Sequence, residues 1–107
     1  MSGHIICTAE VLEVVKSKEN HQIRFLLPQE FSRYLFAKGY IGIDGISLTV
    51  GRVSGAEFDV NLIPETLART NIGGRRPGDS VNIEIDPQTQ AIVDTVERVL
   101  RQKSEAG

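Results

Sequence analysis

The segment KGYIGIDGISLTV, residues 38–50, decides both the fold class and the candidate site. From Ile46 onward apolar side chains alternate with small residues, the period of two that is typical of a strand with one buried face. Ser47 and Thr49 lie on the opposite face, where charged side chains are more usual. Small hydroxyls let a flat ligand lie close to the backbone and form hydrogen bonds at its edge. The spacing is also compatible with a plain solvent-facing Ser/Thr strand.

Short apolar alternations recur along the chain and are separated by turn residues, which is typical of an all-β domain. Strands are predicted at 4–15, 22–27, 40–44, 46–53, 58–63 and 80–85. Asp44-Gly45 between two such runs predicts a tight hairpin turn. The alternative is one continuous strand that is kinked at Gly45. Alternation and turns alone leave a β-sandwich and a small barrel equally open.

Three helices are predicted between and after the strands. The first, 28–38, starts with proline and has apolar residues at three-four spacing. The second, 64–72, also starts with proline and is short. The third begins where Asp86 can cap the helix and Pro87 can occupy its first turn. These bounds give residues 1–86 as the β domain and 87–107 as a C-terminal helix and tail of the same domain.

The last helix carries an apolar stripe at helical spacing. The stripe consists of Ile92, Val96, Val99 and Leu100. We expect it to pack on the β domain at one end and on a partner chain at the other, which predicts a homo-oligomer. Cys7, in the first strand, is interpreted as a small buried apolar residue because no neighbour in sequence would lower its pKa.

The length and composition of the chain exclude several classes of function. A length of 107 residues fits one domain, and the net charge of −2 comes from scattered charges, so no basic stripe indicates nucleic-acid binding. One cysteine rules out an internal disulfide and a four-cysteine metal site. The sequence has no signal peptide and no apolar run of membrane-spanning length, so we expect a cytoplasmic protein that does not associate with a membrane.

Four segments together resemble a known family. They are GHIICTAEV at 3–11, KGYIGIDGISLTV at 38–50, LIPETLARTNIG at 62–73, and GDSVNIEIDPQTQAIVDTVERVL at 78–100. In order and spacing these segments resemble the lumazine-binding domain of the riboflavin synthase family, and more narrowly the second, C-terminal, of its two homologous domains. The resemblance covers nearly the whole chain.

The resemblance implies a fold and a reaction. The fold is a six-stranded antiparallel Greek-key barrel with short connecting helices and a C-terminal helix. The reaction is the transferase activity of riboflavin synthase, the dismutation of two 6,7-dimethyl-8-ribityllumazine molecules to riboflavin and a ribitylamino-pyrimidine, without metal or organic cofactor. The family places an N-terminal barrel before this one, so the chain is a fragment or a natural single-domain relative. Implied partners are lumazine and riboflavin, that N-terminal barrel, and further copies in a trimer or dimer.

The resemblance also assigns site residues, each of which has a plainer interpretation. The catalytic residues are His4 and Ser47, and the substrate-binding residues are Tyr34, Lys38, Ser47, Thr49, Ile63, Thr66 and Asp86. By themselves His4 is a surface histidine and Lys38 a cation at a helix C-terminus, with Tyr34 one turn earlier on the same helix face. Thr66 and Asp86 would serve as helix caps.

The sequence is also compatible with two rival functions. One is a non-catalytic lumazine or flavin carrier, related to the fluorescent lumazine proteins. The other is a structural barrel that has lost its ligand. Because only one set of site residues is present, the chain by itself is expected to bind one lumazine and to have little or no activity.

Overall fold

Seven strands, two α-helices and two short 3-10 segments make up this computed structural model, which describes residues 4–17 and 20–106. The strands are β1 Ile5–Lys16, β2 His21–Leu26, β3 Tyr40–Ile43, β4 Ile46–Thr49, β5 Val53–Ser54, β6 Glu57–Leu62 and β7 Ser80–Glu84. The helices are α1 Pro64–Arg69 and α2 Pro87–Ala106, and the 3-10 segments are Gln29–Tyr34 and Ile72–Gly74.

All seven strands form one antiparallel sheet in the order β4-β3-β7-β1-β2-β6-β5. The hairpins β1–β2 and β3–β4 are local, whereas β6 and β7 return to flank the first hairpin, which is a Greek-key arrangement. A register shift between Ile5 and Cys7 marks a bulge where β1 meets β7. The all-β Greek-key prediction is therefore confirmed.

The two edge strands of the sheet, β4 and β5, follow each other directly along the chain, so the sheet curls into a barrel. The Gly51 N–H donates to the Asp59 carbonyl at 2.8 Å, and the Asp59 N–H donates to the Arg52 carbonyl at 3.1 Å. The segment from Ile46 to Ser54 thus pairs first with β3 and then with β6. This change of partner divides the predicted strand 46–53 into β4 and β5, which accounts for seven strands instead of six.

The interior of the barrel is filled by the inward residues of the alternating runs. Phe25 and Phe58 stack with ring centroids 5.2 Å apart, and both are fully buried. The apolar residues that alternate along β2, β6 and β7 and continue just past the ends of β2 and β7 are all buried. With the interior occupied by side chains, a ligand has to bind on the outer surface.

The predicted helix 28–38 is wrong beyond its first turns. Only Gln29–Tyr34 is helical, as a 3-10 segment, and Leu35 is already extended. The Lys38 N–H instead donates to the Val50 carbonyl at 2.8 Å, and the Val50 N–H donates to the Gly39 carbonyl at 2.7 Å. These tertiary hydrogen bonds extend the β3–β4 ladder and override the local helical pattern.

The C-terminal helix α2 begins at Pro87, as predicted, and projects from the barrel. Asp86 caps it, since its Oδ2 accepts the Thr89 N–H at 3.0 Å. The stripe does not pack on the barrel as expected, because all four of its residues are exposed. Val93, just beside the stripe, makes the apolar contact with the core instead.

Candidate functional site on the outer face of β3, β4 and β7

The predicted hydroxyl pair faces outward on β4. Ser47 and Thr49 are exposed, while Leu48 between them is buried. Across the ladder Ser47 pairs with Gly42, and Thr49 pairs with Tyr40. Gly42 itself is buried, and because it has no side chain it places no bulk of its own beside the Ser47 hydroxyl on this face.

The hairpin that carries these hydroxyls is fixed at its turn. Asp44 and Gly45 have positive φ angles of 49° and 84°, which is the backbone of the hairpin turn that Asp-Gly favours. The Asp44 carboxylate accepts the Asn82 N–H at 2.8 Å and the Arg75 guanidinium at 2.6 Å. These bonds hold the turn against β7 and the preceding loop, so Ser47 is presented from a constrained hairpin.

Lys38 lies just beyond the other end of this hairpin. Its φ of 68° is left-handed, and its side chain is exposed. Because the residue lies outside any helix, the interpretation of Lys38 as a cation at a helix C-terminus is wrong. Its backbone bond to Val50, the residue that follows Thr49, places Lys38 at the same end of the ladder as Thr49.

The Tyr34 side chain contacts the C-terminal helix α2. It is 4% exposed, and its hydroxyl donates to Asp94 of α2 at 2.5 Å while accepting from the Arg33 guanidinium at 2.9 Å. The hydrogen bond to Tyr34, together with the carboxylates of Glu97 and Asp94, raises the pKa of Arg33. Tyr34 and Lys38 therefore do not share a helix face, and the Tyr34 hydroxyl already has both partners.

Ile63 and Thr66 flank the start of α1. Ile63 follows β6 and is 59% exposed, so it is an apolar side chain on the outer surface. Thr66 lies in the first turn of α1 and is half-buried. Because β4 also approaches β6, this helix start lies on the side of the hydroxyl pair opposite to β3.

His4 and Asp86 come to the same end of two neighbouring strands. The pairing of Ile5 with Glu84 places the residue before β1 next to the residues after β7. His4 is exposed, and Asp86 is half-buried with its Oδ2 used in the cap. Among the described residues no side-chain hydrogen bond links His4 to another predicted site residue.

Sequence reasoning missed Glu84, the last residue of β7. It pairs with Gly42 on one side and Ile5 on the other, so it lies on the same face as Ser47 with only glycine between them. Its Oε2 is buried and has no hydrogen-bond partner among the described residues. The alternation along VNIEI places Glu84 on the outer face, but only the order of the strands reveals that its neighbour is Gly42.

A concave groove of about 320 Å³ lies on another part of the barrel. Its lining includes Glu13, Arg24, Arg52 and Glu57, and none of the predicted site residues. Arg24 forms ion pairs with Glu13 and, at 3.9 Å, with Glu57. The candidate site is thus an open face, and the deeper groove is separate from it.

Neither a metal centre nor a membrane span is visible in residues 4–17 and 20–106. No group of three or more His, Cys, Asp or Glu side chains there could hold a metal ion. No helix in the same ranges is long and apolar enough to cross a membrane.

Comparison with protein families assigns the β domain to a known class. A family model described as the lumazine binding domain matches residues 2–86. The chain belongs to the lumazine-binding domain family. The match includes every predicted site residue from His4 to Asp86, and α2 follows it.

Curated relatives of this lumazine-binding domain are riboflavin synthases. The riboflavin synthase of Escherichia coli is 57% identical over 107 residues, covering 99% of this chain and 50% of the relative. That of Chlamydia pneumoniae is 52% identical over 100 residues, covering 94% of this chain and 48% of the relative. The chain therefore spans about half the length of these relatives.

Solved structures confirm the fold of the lumazine-binding domain. The protein LumP, crystallised with 6,7-dimethyl-8-(1'-D-ribityl) lumazine, superposes with a TM-score of 0.76 over 80% of this chain and 49% of that chain, at 22% identity. The LumP complex with riboflavin gives a TM-score of 0.75 at the same identity. These similarities support the sheet arrangement described above.

Proposed function

We propose that this chain is one ligand-binding half of a riboflavin synthase. The observation that carries the proposal is the exposed hydroxyl pair Ser47 and Thr49 beside Gly42, in a chain 57% identical to half of a riboflavin synthase. The barrel would bind one 6,7-dimethyl-8-ribityllumazine flat on this face. As the sequence resemblance implies, the chain would be the C-terminal of the two barrels.

The proposed contacts follow from the geometry of the face. Ser47 and Thr49 would form hydrogen bonds with the edge of the ring over the backbone of Gly42. Lys38, at the end of the same hairpin, would donate to a carbonyl or ribityl oxygen. Ile63 would cover part of the ring on the β6 side. No metal or organic cofactor takes part.

Four further residues complete the proposed set with different roles. Thr66 and the free N–H groups of the α1 start would donate to ring carbonyls. His4 is the proposed proton-transfer group because an imidazole ring can both accept and donate a proton. Asp86, which caps α2, would orient groups at the same edge. Tyr34 would act indirectly, by holding α2 through Asp94.

The open shape of the site supports a reaction that needs a second surface. In the dismutation, a proton leaves the acidic C7 methyl of one lumazine, and the resulting anion attacks the other lumazine. Holding two reactants in register can supply roughly 7–11 kcal/mol of the barrier. A single exposed face binds one reactant, so the N-terminal barrel of a neighbouring chain would bring the other and would exclude water.

The exposed stripe of α2 supports self-association. Ile92, Val96, Val99 and Leu100 are 62%, 51%, 48% and 61% exposed, an apolar surface that a second copy would bury. We infer a homo-oligomer, a trimer or a dimer, assembled through this helix. Assembly would place several barrels around one axis, within reach of their partner barrels.

A non-catalytic lumazine or flavin carrier is the alternative function. It is favoured by the LumP structures, which share the fold and were crystallised with lumazine, riboflavin and flavin mononucleotide. Incubating the chain, with and without a separately produced N-terminal barrel, with the lumazine distinguishes the two. Formation of riboflavin absorbance indicates the enzyme, and binding without conversion in both samples indicates the carrier.

The site itself is tested by the double variant Ser47→Val and Thr49→Val, with ligand fluorescence as the readout. Loss of two hydrogen bonds should weaken lumazine and riboflavin binding by about 1–3 kcal/mol, roughly five- to 150-fold. Thr8→Val is the matched control, since Thr8 is an exposed threonine on β1, paired with Asn82. Unchanged dissociation constants in the double variant would place the ligand elsewhere.

A further inference from the structure

Glu84 stands out because one of its carboxylate oxygens is buried without a partner. A buried acceptor that lacks a hydrogen bond costs free energy, and more so when it is charged. In the described part of the chain, two other side chains have such an atom, His21 and Arg75. His21 lies on β2 opposite Leu62, and Arg75 donates to Asp44 through another of its guanidinium nitrogens.

The position of Glu84 relates it to the ligand face. Ser47, Gly42 and Glu84 are consecutive partners across β4, β3 and β7, so their side-chain positions point to one side of the sheet. Two strand spacings separate Ser47 from Glu84, about 10 Å. Gly42 between them is buried and adds no side chain, so a ring held at Ser47 would extend a substituent past Gly42 towards Glu84.

We propose that Glu84 is a specificity-determining residue whose Oε2 accepts a hydrogen bond from the polyhydroxy chain of the ligand. This inference rests on the proposed function. The ring supplies mainly carbonyl and nitrogen acceptors, which suit the hydroxyls of Ser47 and Thr49. A carboxylate only accepts hydrogen bonds, so it suits the hydroxyl donors of a ribityl chain. Binding would give Oε2 the donor that it lacks.

The test compares riboflavin with lumiflavin, which has the same ring but a methyl group in place of the ribityl chain. Glu84→Met removes the acceptor and keeps a side chain of similar length. We expect riboflavin to bind roughly ten- to a hundredfold more weakly, the range for a hydrogen bond to a charged group, with lumiflavin binding unchanged. Glu84→Gln keeps one acceptor oxygen and should retain most of the preference for riboflavin.

Glu10→Met is the matched control, because Glu10 is an exposed glutamate on β1, paired with Ser80 of β7 and away from Gly42. It should leave both dissociation constants unchanged. The thermal midpoint of unliganded Glu84→Met should equal or exceed that of the unaltered chain, since an unpartnered oxygen is removed.

Three outcomes would overturn the inference. Equal weakening of both ligands in Glu84→Met would mean that Glu84 supports the whole site and not the chain. If neither ligand is affected while the unaltered chain binds both, the proposed function survives and the role of Glu84 fails. If the unaltered chain binds neither compound, the proposed function fails and the ligand assigned to Glu84 fails with it.

Discussion

At the scale of single residues, Cys7 gives the clearest pH dependence. Burial, with a smaller contribution from Glu30, raises the pKa of its thiol to about 11. The thiolate is the reactive form, so alkylation by iodoacetamide at pH 8 should be much slower than for free cysteine and should accelerate until the pH passes about 11. A rate equal to that of the urea-unfolded chain at pH 8 would contradict this.

The same thiol affects stability with a definite sign. The pKa of the thiol in the folded chain exceeds that of an unfolded thiol, so the contribution of the thiol to folding stability is fully present at neutral pH. The contribution decreases as the pH rises above the unfolded value and disappears near the folded value of about 11. We expect Cys7→Ala to reduce the loss of stability between neutral pH and pH 11, measured as urea midpoints.

Gly51 is required by close approach to a neighbouring strand. A Cβ at this position would overlap the carboxylate of Asp59 and lie 3.3 Å from its carbonyl oxygen. Asp59 is buried and holds the Arg52 N–H at 2.9 Å, so it has little room to move. Gly51→Ala should therefore destabilise the chain by about 1–3 kcal/mol in urea unfolding.

Gly74→Ala is the control for that experiment. A Cβ at Gly74 meets nothing within 4 Å, and its φ is not in the left-handed region. It should be neutral or slightly stabilising, by at most about 1 kcal/mol. Equal effects of the two substitutions would show that the barrel does not close tightly at Gly51.

At the scale of elements, α2 is tied to the barrel by a small polar cluster. Tyr34 donates to Asp94, while Arg33 lies 4.8 Å above the Tyr34 ring and 3.7 Å from Glu97. Tyr34→Phe should cost about 0.5–1.5 kcal/mol and should increase amide exchange in the first turns of α2, with the strands unchanged.

Tyr40→Phe provides the comparison, since Tyr40 is 69% exposed on β3 and contributes no described side-chain hydrogen bond. Its stability and the exchange of α2 should match those of the unaltered chain. Protection of α2 that survives in Tyr34→Phe would mean that apolar contact through Val93 is sufficient to hold the helix.

The elements also show how far sequence patterns reach. Alternation placed β2, β6 and β7 correctly because a residue's side of a strand depends only on its local period. The helix predicted up to Lys38 failed because its three-four spacing competes with hydrogen bonds to Val50, which is distant in sequence. The outward direction of Ser47 and Thr49 was predictable, whereas the pairing of Gly42 with Glu84 depends on the order of the strands.

At the scale of the whole molecule, the exposed stripe predicts assembly. Val96→Glu together with Val99→Glu should convert the homo-oligomer into monomers, because charges buried in an apolar contact are strongly unfavourable. Sedimentation velocity measures the change. Ala91→Glu, exposed on α2 and outside the stripe, should keep the assembly. A monomeric unaltered chain at micromolar concentration would contradict the proposal.

Turnover by the chain alone should be slow if the proposed function holds. One barrel presents one open ligand face, so two lumazines can meet only between two barrels. Two copies of this barrel would repeat the same groups instead of supplying the complementary ones. The two lumazines would be positioned imperfectly, and the polar groups of the other barrel would be absent. Both effects should lower the rate by orders of magnitude.

We therefore expect the 107-residue chain to quench ligand fluorescence with little or no riboflavin formation. Adding a separately produced N-terminal barrel should raise the rate above that of either part, and Ser47→Val with Thr49→Val should abolish the gain. Riboflavin absorbance over time provides the measurement. Turnover by this chain alone at the rate of a full-length riboflavin synthase would show that two identical faces position the reactants well enough, and the second barrel would then be dispensable.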